Sequence, residues 1–146
     1  GKKDNHIWNW KVGDKEKTDD VFAKAEVVVK EQMHIPRIHV ASIETCGCVA
    51  DYDKVNNHLT MYMTTQAPHA IITVIALVAG HVGLTEEKIR VISPDIGGGF
   101  GGKVPVYPGY VIAIAVSFLV GKPVKWIEDR SENLQADSFA RDYHIA

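Results

Sequence analysis

Two long stretches of the chain carry no formal charge. From Val55 to Thr85, 31 residues, and from Val104 to Gly121, 18 residues, there is no Asp, Glu, Lys or Arg. In the first, Ala67 to Gly80 reads as a helix that is apolar around its whole circumference, without the polar face of a surface helix. Pro68 suits its first turn, where a missing N–H costs nothing, and Gly80 or Gly83 can end it. The second stretch predicts a similar helix from about Tyr107 to Val120, stopped by Gly121. Helices apolar all round are usually buried on all sides, which a lone domain of this length struggles to achieve. The pattern therefore predicts a slice of a larger assembly, with a compact domain bearing an apolar interface as the alternative.

Strands flank these helices. Residues Ala25 to His34 alternate, with Ala25, Val27, Val29 and Met33 on one face, and predict a half-buried strand ended by Pro36. Val49 to Asp53 and Leu59 to Thr64 flank the turn-forming pair Asn56-Asn57 and predict a hairpin. Lys88 to Ile96 reads as a strand disturbed near its end by Pro94, and Val124 to Glu128 as a last strand opened by Pro123. Helix, glycine stop and strand occur twice in succession, the rhythm of a right-handed crossover. The class is α+β: mixed strands with two buried apolar helices. Residues 1–20 read as an irregular lead-in and residues 21–146 as the structured part.

Composition narrows the function. Of 146 residues, 46% are hydrophobic and 23% charged, a globular mixture that fits about one domain. A net charge of -2 gives no basic footprint, so no nucleic-acid partner is expected. Both apolar runs fall short of the ~20 residues of a membrane span. Cys46 and Cys48 stand too close together for an unstrained disulfide, which points to a reducing compartment, the cytoplasm. The opening Gly1-Lys2-Lys3 has neither a starting Met nor a leader pattern, and predicts a cut from something longer.

The loudest chemical signal is Gly97-Gly98-Gly99-Phe100-Gly101-Gly102-Lys103. Five glycines in six positions let backbone N–H groups wrap an anion. Gly97, Gly99 and Gly102 match the dinucleotide fingerprint, but an acidic residue ~20 positions on is poorly matched, and Pro105 and Pro108 delay the following helix. Gly97 to Lys103 also opens like a phosphate loop, yet Val104 replaces its magnesium-binding hydroxyl. A nucleotide-binding domain, a plain structural turn and a non-catalytic domain that dimerises through its apolar helices all stay open at this point.

Asp95 to Lys103 resembles the molybdopterin-binding segment of the molybdenum hydroxylases, the xanthine oxidase and aldehyde oxidase family. Thr64-Thr65-Gln66-Ala67-Pro68-His69 resembles the same family's glutamine segment, at a fitting spacing. Ile43 to Ala50, Val106 to Val111 and Ser138 to His144 look most like its carbon monoxide dehydrogenase branch. The resemblance covers nearly the whole chain and implies a partial molybdopterin-binding domain over 21–146, cut from a large subunit. It implies a molybdenum-dependent oxidoreductase of carbon monoxide or aldehyde dehydrogenase type, acting on a small molecule with oxygen from water. Its cofactor is a molybdopterin-type molybdenum cofactor, with FAD and iron–sulfur clusters on medium and small partner subunits or domains of an oligomer.

The resemblance also assigns residues. Gln66 matches the glutamine that hydrogen-bonds an oxo ligand of molybdenum, a task an amide performs without adding charge; the alternative is a cap on the helix beginning at Pro68. Gly98, Gly99, Phe100 and Gly101 match the loop along the cofactor, Phe100 screening it from water. Val104 stands where xanthine-type enzymes carry a substrate-binding glutamate, which disfavours purines. No catalytic base and no metal ligand is assigned. Cys46 and Cys48 read as buried structural thiols, His69 as a core histidine at a helix start, and Trp8 and Trp10 as cover for protein outside this segment.

Overall fold

A computed structural model describes residues 3, 4 and 6–145. Gly1 and Lys2, on which the leader reading rests, lie outside the described residues, as do Asn5 and Ala146. The chain divides into two compact units, residues 1–34 with 144–146, and residues 35–143.

The first unit holds α1 (Lys15–Lys24). Residues 15–20 of the expected irregular lead-in over 1–20 are therefore helical. Asp14 caps the helix by accepting from the Lys17 N–H, and Lys15–Asp19 and Lys24–Asp20 pair one turn apart along its flank. Each such pair adds only a few tenths of a kcal/mol, and no residue of α1 is buried. A strand spanning 25–34 does not form either. Only β1 (Met33–Ile35) is extended and paired, with β6 (Tyr143–Ile145), and both are exposed throughout. Val27 and Val29 find no apolar layer to face and stay exposed.

The second unit is built on one sheet in the order β4-β3-β2-β5: β4 (Ile89–Ile92), β3 (His58–Met63), β2 (Gly47–Asp53) and β5 (Val124–Ile127). The expected hairpin is β2 and β3, paired from Cys48 opposite Met63 to Asp53 opposite His58. Asn57 takes the left-handed turn conformation at φ 50, which Asn tolerates. β5 adds antiparallel to β2, whereas β4 runs parallel to β3, so the link between those two is a crossover through α2 (Pro68–Ala79). From β4 the chain passes through the glycine loop into α3 (Pro108–Val120), and after β5 into α4 (Arg130–Ala136).

Alternation along the hairpin puts Cys48, Ala50, Tyr52, Leu59, Met61 and Met63 on one buried face. Ile71 and Ile75 of α2 and Tyr110 and Ala113 of α3 join them in a single core. Each large side chain buried there contributes about 1.5–3 kcal/mol. Gly109 has no side chain because there is no room for one: a Cβ would lie 2.2 Å from the Trp126 ring, so α3 settles directly on β5. Ser117 then ties α3 to β2, accepting from the Tyr52 N–H at 3.0 Å and donating to the Lys122 carbonyl at 2.9 Å.

The two helices are as apolar as the sequence indicates, but within this chain each buries one stripe. Leu77, Val78, Ile112 and Leu119 on their outer sides remain exposed. No helix of the described residues is long and apolar enough to cross a membrane.

Candidate functional site

Because β3 and β4 are parallel neighbours, the segments leaving their C-terminal ends emerge at the same edge of the sheet. Such ends are where open sheets place ligand loops. The segment after β3 is Thr64-Thr65-Gln66, and the one after β4 is the glycine loop. They are laced together. Gln66 N–H donates to the Lys103 carbonyl at 3.0 Å, and the Thr65 hydroxyl donates to the same oxygen at 3.2 Å. Ser93 donates to the Thr65 carbonyl at 2.8 Å.

The Gln66 side chain lies across the loop. Its Oε1 accepts from the N–H of Gly101 at 3.0 Å and of Lys103 at 3.2 Å. Two donors on one atom settle which end of the amide is oxygen. The NH2 end has no acceptor among the described residues, so Gln66 presents a free donor. Gly99 makes this possible: a Cβ there would sit 2.4 Å from Gln66 Cδ. The helix-cap alternative for Gln66 is overturned, since α2 begins after Ala67 with no side-chain cap.

The sequence-assigned residues Gln66, Gly98, Gly99, Phe100 and Gly101 thus meet in one place. Gly101 takes φ +90, open to glycine and strained for other residues. Phe100 is itself left-handed at φ 49 and 75% exposed, its ring lying against Gly98. The N–H groups of Gly98, Gly99 and Phe100 donate to nothing among the described residues. With the Gln66 NH2 they form a set of donors carrying no charge, suited to oxo or phosphate oxygens.

A clamp holds the loop, and sequence reasoning misses it. The Lys103 side chain is only 3% exposed, and its Nζ lies 2.7 Å from Glu44 Oε2. The same carboxylate accepts from the Gly97 N–H at 2.7 Å, while Glu44 N–H donates to the Gly97 carbonyl at 3.2 Å. Burial pushes the Glu44 carboxyl up, but Lys103 and the Gly97 N–H outweigh it and hold it below the usual range. The available signal is Lys103 itself: a lone cation entering a long charge-free stretch needs a carboxylate.

Beside the site runs a buried polar cluster. Asn133 Nδ2 donates to Glu128 Oε2 at 3.1 Å and to Asp137 Oδ2 at 2.5 Å, and the Cys46 thiol approaches Asp137 Oδ2 at 3.8 Å. Burial, then the neighbouring Glu128, push the Asp137 carboxyl up to about 6. Burial pushes the Cys46 thiol up to about 12 and that of Cys48 to about 11, the state of inert structural cysteines. His69 is exposed rather than in the core, and Trp8 and Trp10 are exposed.

Among the described residues the glycine loop does not form a nucleotide site. α3 starts at Pro108, five residues beyond Lys103, so the glycine loop does not open a helix whose N-terminus could take a pyrophosphate.

Residues 1–146 match the molybdopterin cofactor-binding domain. The chain is 54% identical over 141 residues to the carbon monoxide dehydrogenase large chain of Hydrogenophaga pseudoflava, and 57% identical over 141 residues to that of Afipia carboxidovorans. Each match covers 97% of this chain and 17% of the relative. A reconstituted CO dehydrogenase from Oligotropha carboxidovorans superposes with a TM-score of 0.73 at 57% identity, over 92% of this chain and 16% of that one.

Proposed function

We propose, from the fact that this chain belongs to the molybdopterin cofactor-binding domain family, that it forms one wall of the molybdenum site in the large subunit of a carbon monoxide dehydrogenase-type enzyme. The observation that carries this reading is the orientation of Gln66: its oxygen is held by the Gly101 and Lys103 N–H groups and its NH2 is left to a ligand. The donor set fits the cofactor, because its acceptors are oxo and phosphate oxygens, and the Glu44 carboxylate at the loop is already engaged by Lys103 and the Gly97 N–H.

In this reading the Gln66 NH2 would donate to an oxo ligand, and the N–H groups of Gly98, Gly99 and Phe100 would offer further donors to the cofactor's oxygens, while the Gly101 N–H holds Gln66 in place. The Glu44–Lys103 pair keeps the loop in the shape that presents these donors. When bound, the molybdenum cofactor supplies two-electron hydroxylation with oxygen from water. The base, the rest of the cofactor enclosure and the electron route belong to the larger protein, with FAD on a medium subunit and iron–sulfur clusters on a small one. The substrate is a small molecule, carbon monoxide or an aldehyde: Val104 lies beside the loop, 48% exposed, and offers no carboxylate to a purine. Two buried free thiols accord with work in a reducing, cytoplasmic setting.

The deciding experiment is molybdenum and pterin content of Gly99→Val in the full-length enzyme. The valine side chain displaces Gln66 and blocks the loop surface, so loading is expected to be lost. Full loading would return the glycines to a structural role.

A further inference from the structure

A second feature adjoins the loop: it shares Phe100, Gly101 and Val104 with that reading, but its opposite wall is not used by it. A cleft of about 590 Å³ opens between Phe100–Gly102 on one side and the segments around Arg37 and Phe139–Arg141 on the other. Its lining contains two arginines and no acidic residue. Neither guanidinium has an ion-pair partner among the described residues. Arg37 is nonetheless placed, with its Cζ 5.8 Å from the centre of the Phe139 ring, a contact that orients a cation while leaving its N–H groups free. Arg141 lies two residues beyond Phe139, and Ser138 lines the same wall.

Two arginines without ion-pair partners in the lining of one cleft, with no carboxylate among the lining residues, offer a pair of cations to an anion. Guanidinium forks match the paired oxygens of phosphate and carboxylate groups. The volume exceeds what a lone phosphate fills and lies in the range of small organic ligands. We propose that this cleft binds an oxyanion of the phosphate type, with Arg37 and Arg141 as its two clamps. The shared chemistry has two sources: a phosphate group on the cofactor that the loop binds, or a free oxyanion from solution.

The test is calorimetric titration of inorganic pyrophosphate into the full-length protein carrying this segment, with and without molybdenum cofactor. The cofactor-free protein is expected to bind it. Arg37→Gln and Arg141→Gln are each expected to weaken binding about tenfold or more, and Arg37→Lys by less, since a point charge remains without the fork. Binding that vanishes in the loaded enzyme identifies the cofactor's own phosphate as the occupant; binding that persists there identifies a free oxyanion. No binding to the cofactor-free protein, or wild-type affinity in both glutamine variants with unchanged thermal unfolding, overturns the proposal. Because Gly99→Val leaves both arginines in place, failure of the cofactor reading and failure of this one are separately visible.

Discussion

Lys103 and Glu44 are 59 positions apart and meet at 2.7 Å, and between them they fix both ends of the glycine loop. The lysine side chain is 3% exposed and the glutamate side chain 40%, so the pair is buried on one side only. Removing the carboxylate strands a buried cation. A fully buried pair broken in this way costs ~3–5 kcal/mol; the exposure of Glu44 lets solvent recover part of that.

Glu44→Ala is therefore expected to loosen the loop by about 2 kcal/mol, or roughly thirtyfold in local opening. Hydrogen exchange at the Gly101 and Lys103 amides reads this directly, because both donate to Gln66. Unchanged exchange would mean that the loop holds its shape without the clamp. The wild-type pair also has a pH signature. Because Glu44 titrates below its ordinary value of 4.5, its contribution is complete above that value and lost as pH falls through the folded pKa.

Asp137 has the opposite sign. Its carboxyl is raised from 3.8 to about 6, so folding favours the protonated form. Stability from this group is full below the unfolded value and declines as pH rises between about 4 and 6. Asp137→Asn, close in shape and neutral, is expected to remove that decline and raise the thermal midpoint at pH 7. Melting curves of both proteins from pH 4 to 7 check it; parallel curves would count against a neutral Asp137.

Gln66→Ala in the full-length enzyme is expected to lower turnover ~10–100-fold, the usual cost of losing a hydrogen bond to a metal's ligand. The protein should stay folded, since Gln66 is exposed and outside the core. Wild-type turnover in a folded, molybdenum-loaded variant would remove Gln66 from the site.

Expressed alone, these 146 residues are expected to show no dye-linked oxidation of carbon monoxide or small aldehydes and to retain no molybdenum. One wall of donors does not enclose a cofactor, and two buried cysteines cannot hold a cluster that needs four. The uncovered sides of α2 and α3 should drive self-association. Light scattering with elemental analysis decides; a monodisperse monomer with stoichiometric molybdenum would contradict both expectations.

Much of this was legible in the residues. The hairpin, the crossover helix and α3 were readable because their signals are local: alternation, an asparagine turn, a proline near the start and a glycine at the end. Gln66 and the glycine loop were readable through family resemblance, and their meeting depends on the parallel pairing of β3 with β4. Residues 25–34 misled because alternation records a capacity to be half-buried, not the presence of a layer to be buried against. The α1 helix was missed because its support is charge pairing and a cap rather than apolar periodicity. Glu44 was hidden for a different reason. Nothing in Ile43-Glu44-Thr45 tells which distant cation it serves, and only the folded register of the sheet brings Lys103 to it.

The parallel step from β3 to β4 also sets an order of events. Gln66 and Lys103 are separated by the whole of α2, and their hydrogen bonds join positions 37 apart in the chain. Long-range closures of this kind come late, after their flanking elements have formed. A nascent chain halted within α2 therefore presents a glutamine with no loop to hold it, and a loop without Gln66 has no anchor for its amides. The donor set comes into being only once β3 and β4 have paired, so a cofactor can be admitted only by a polypeptide that has already finished this part of its folding.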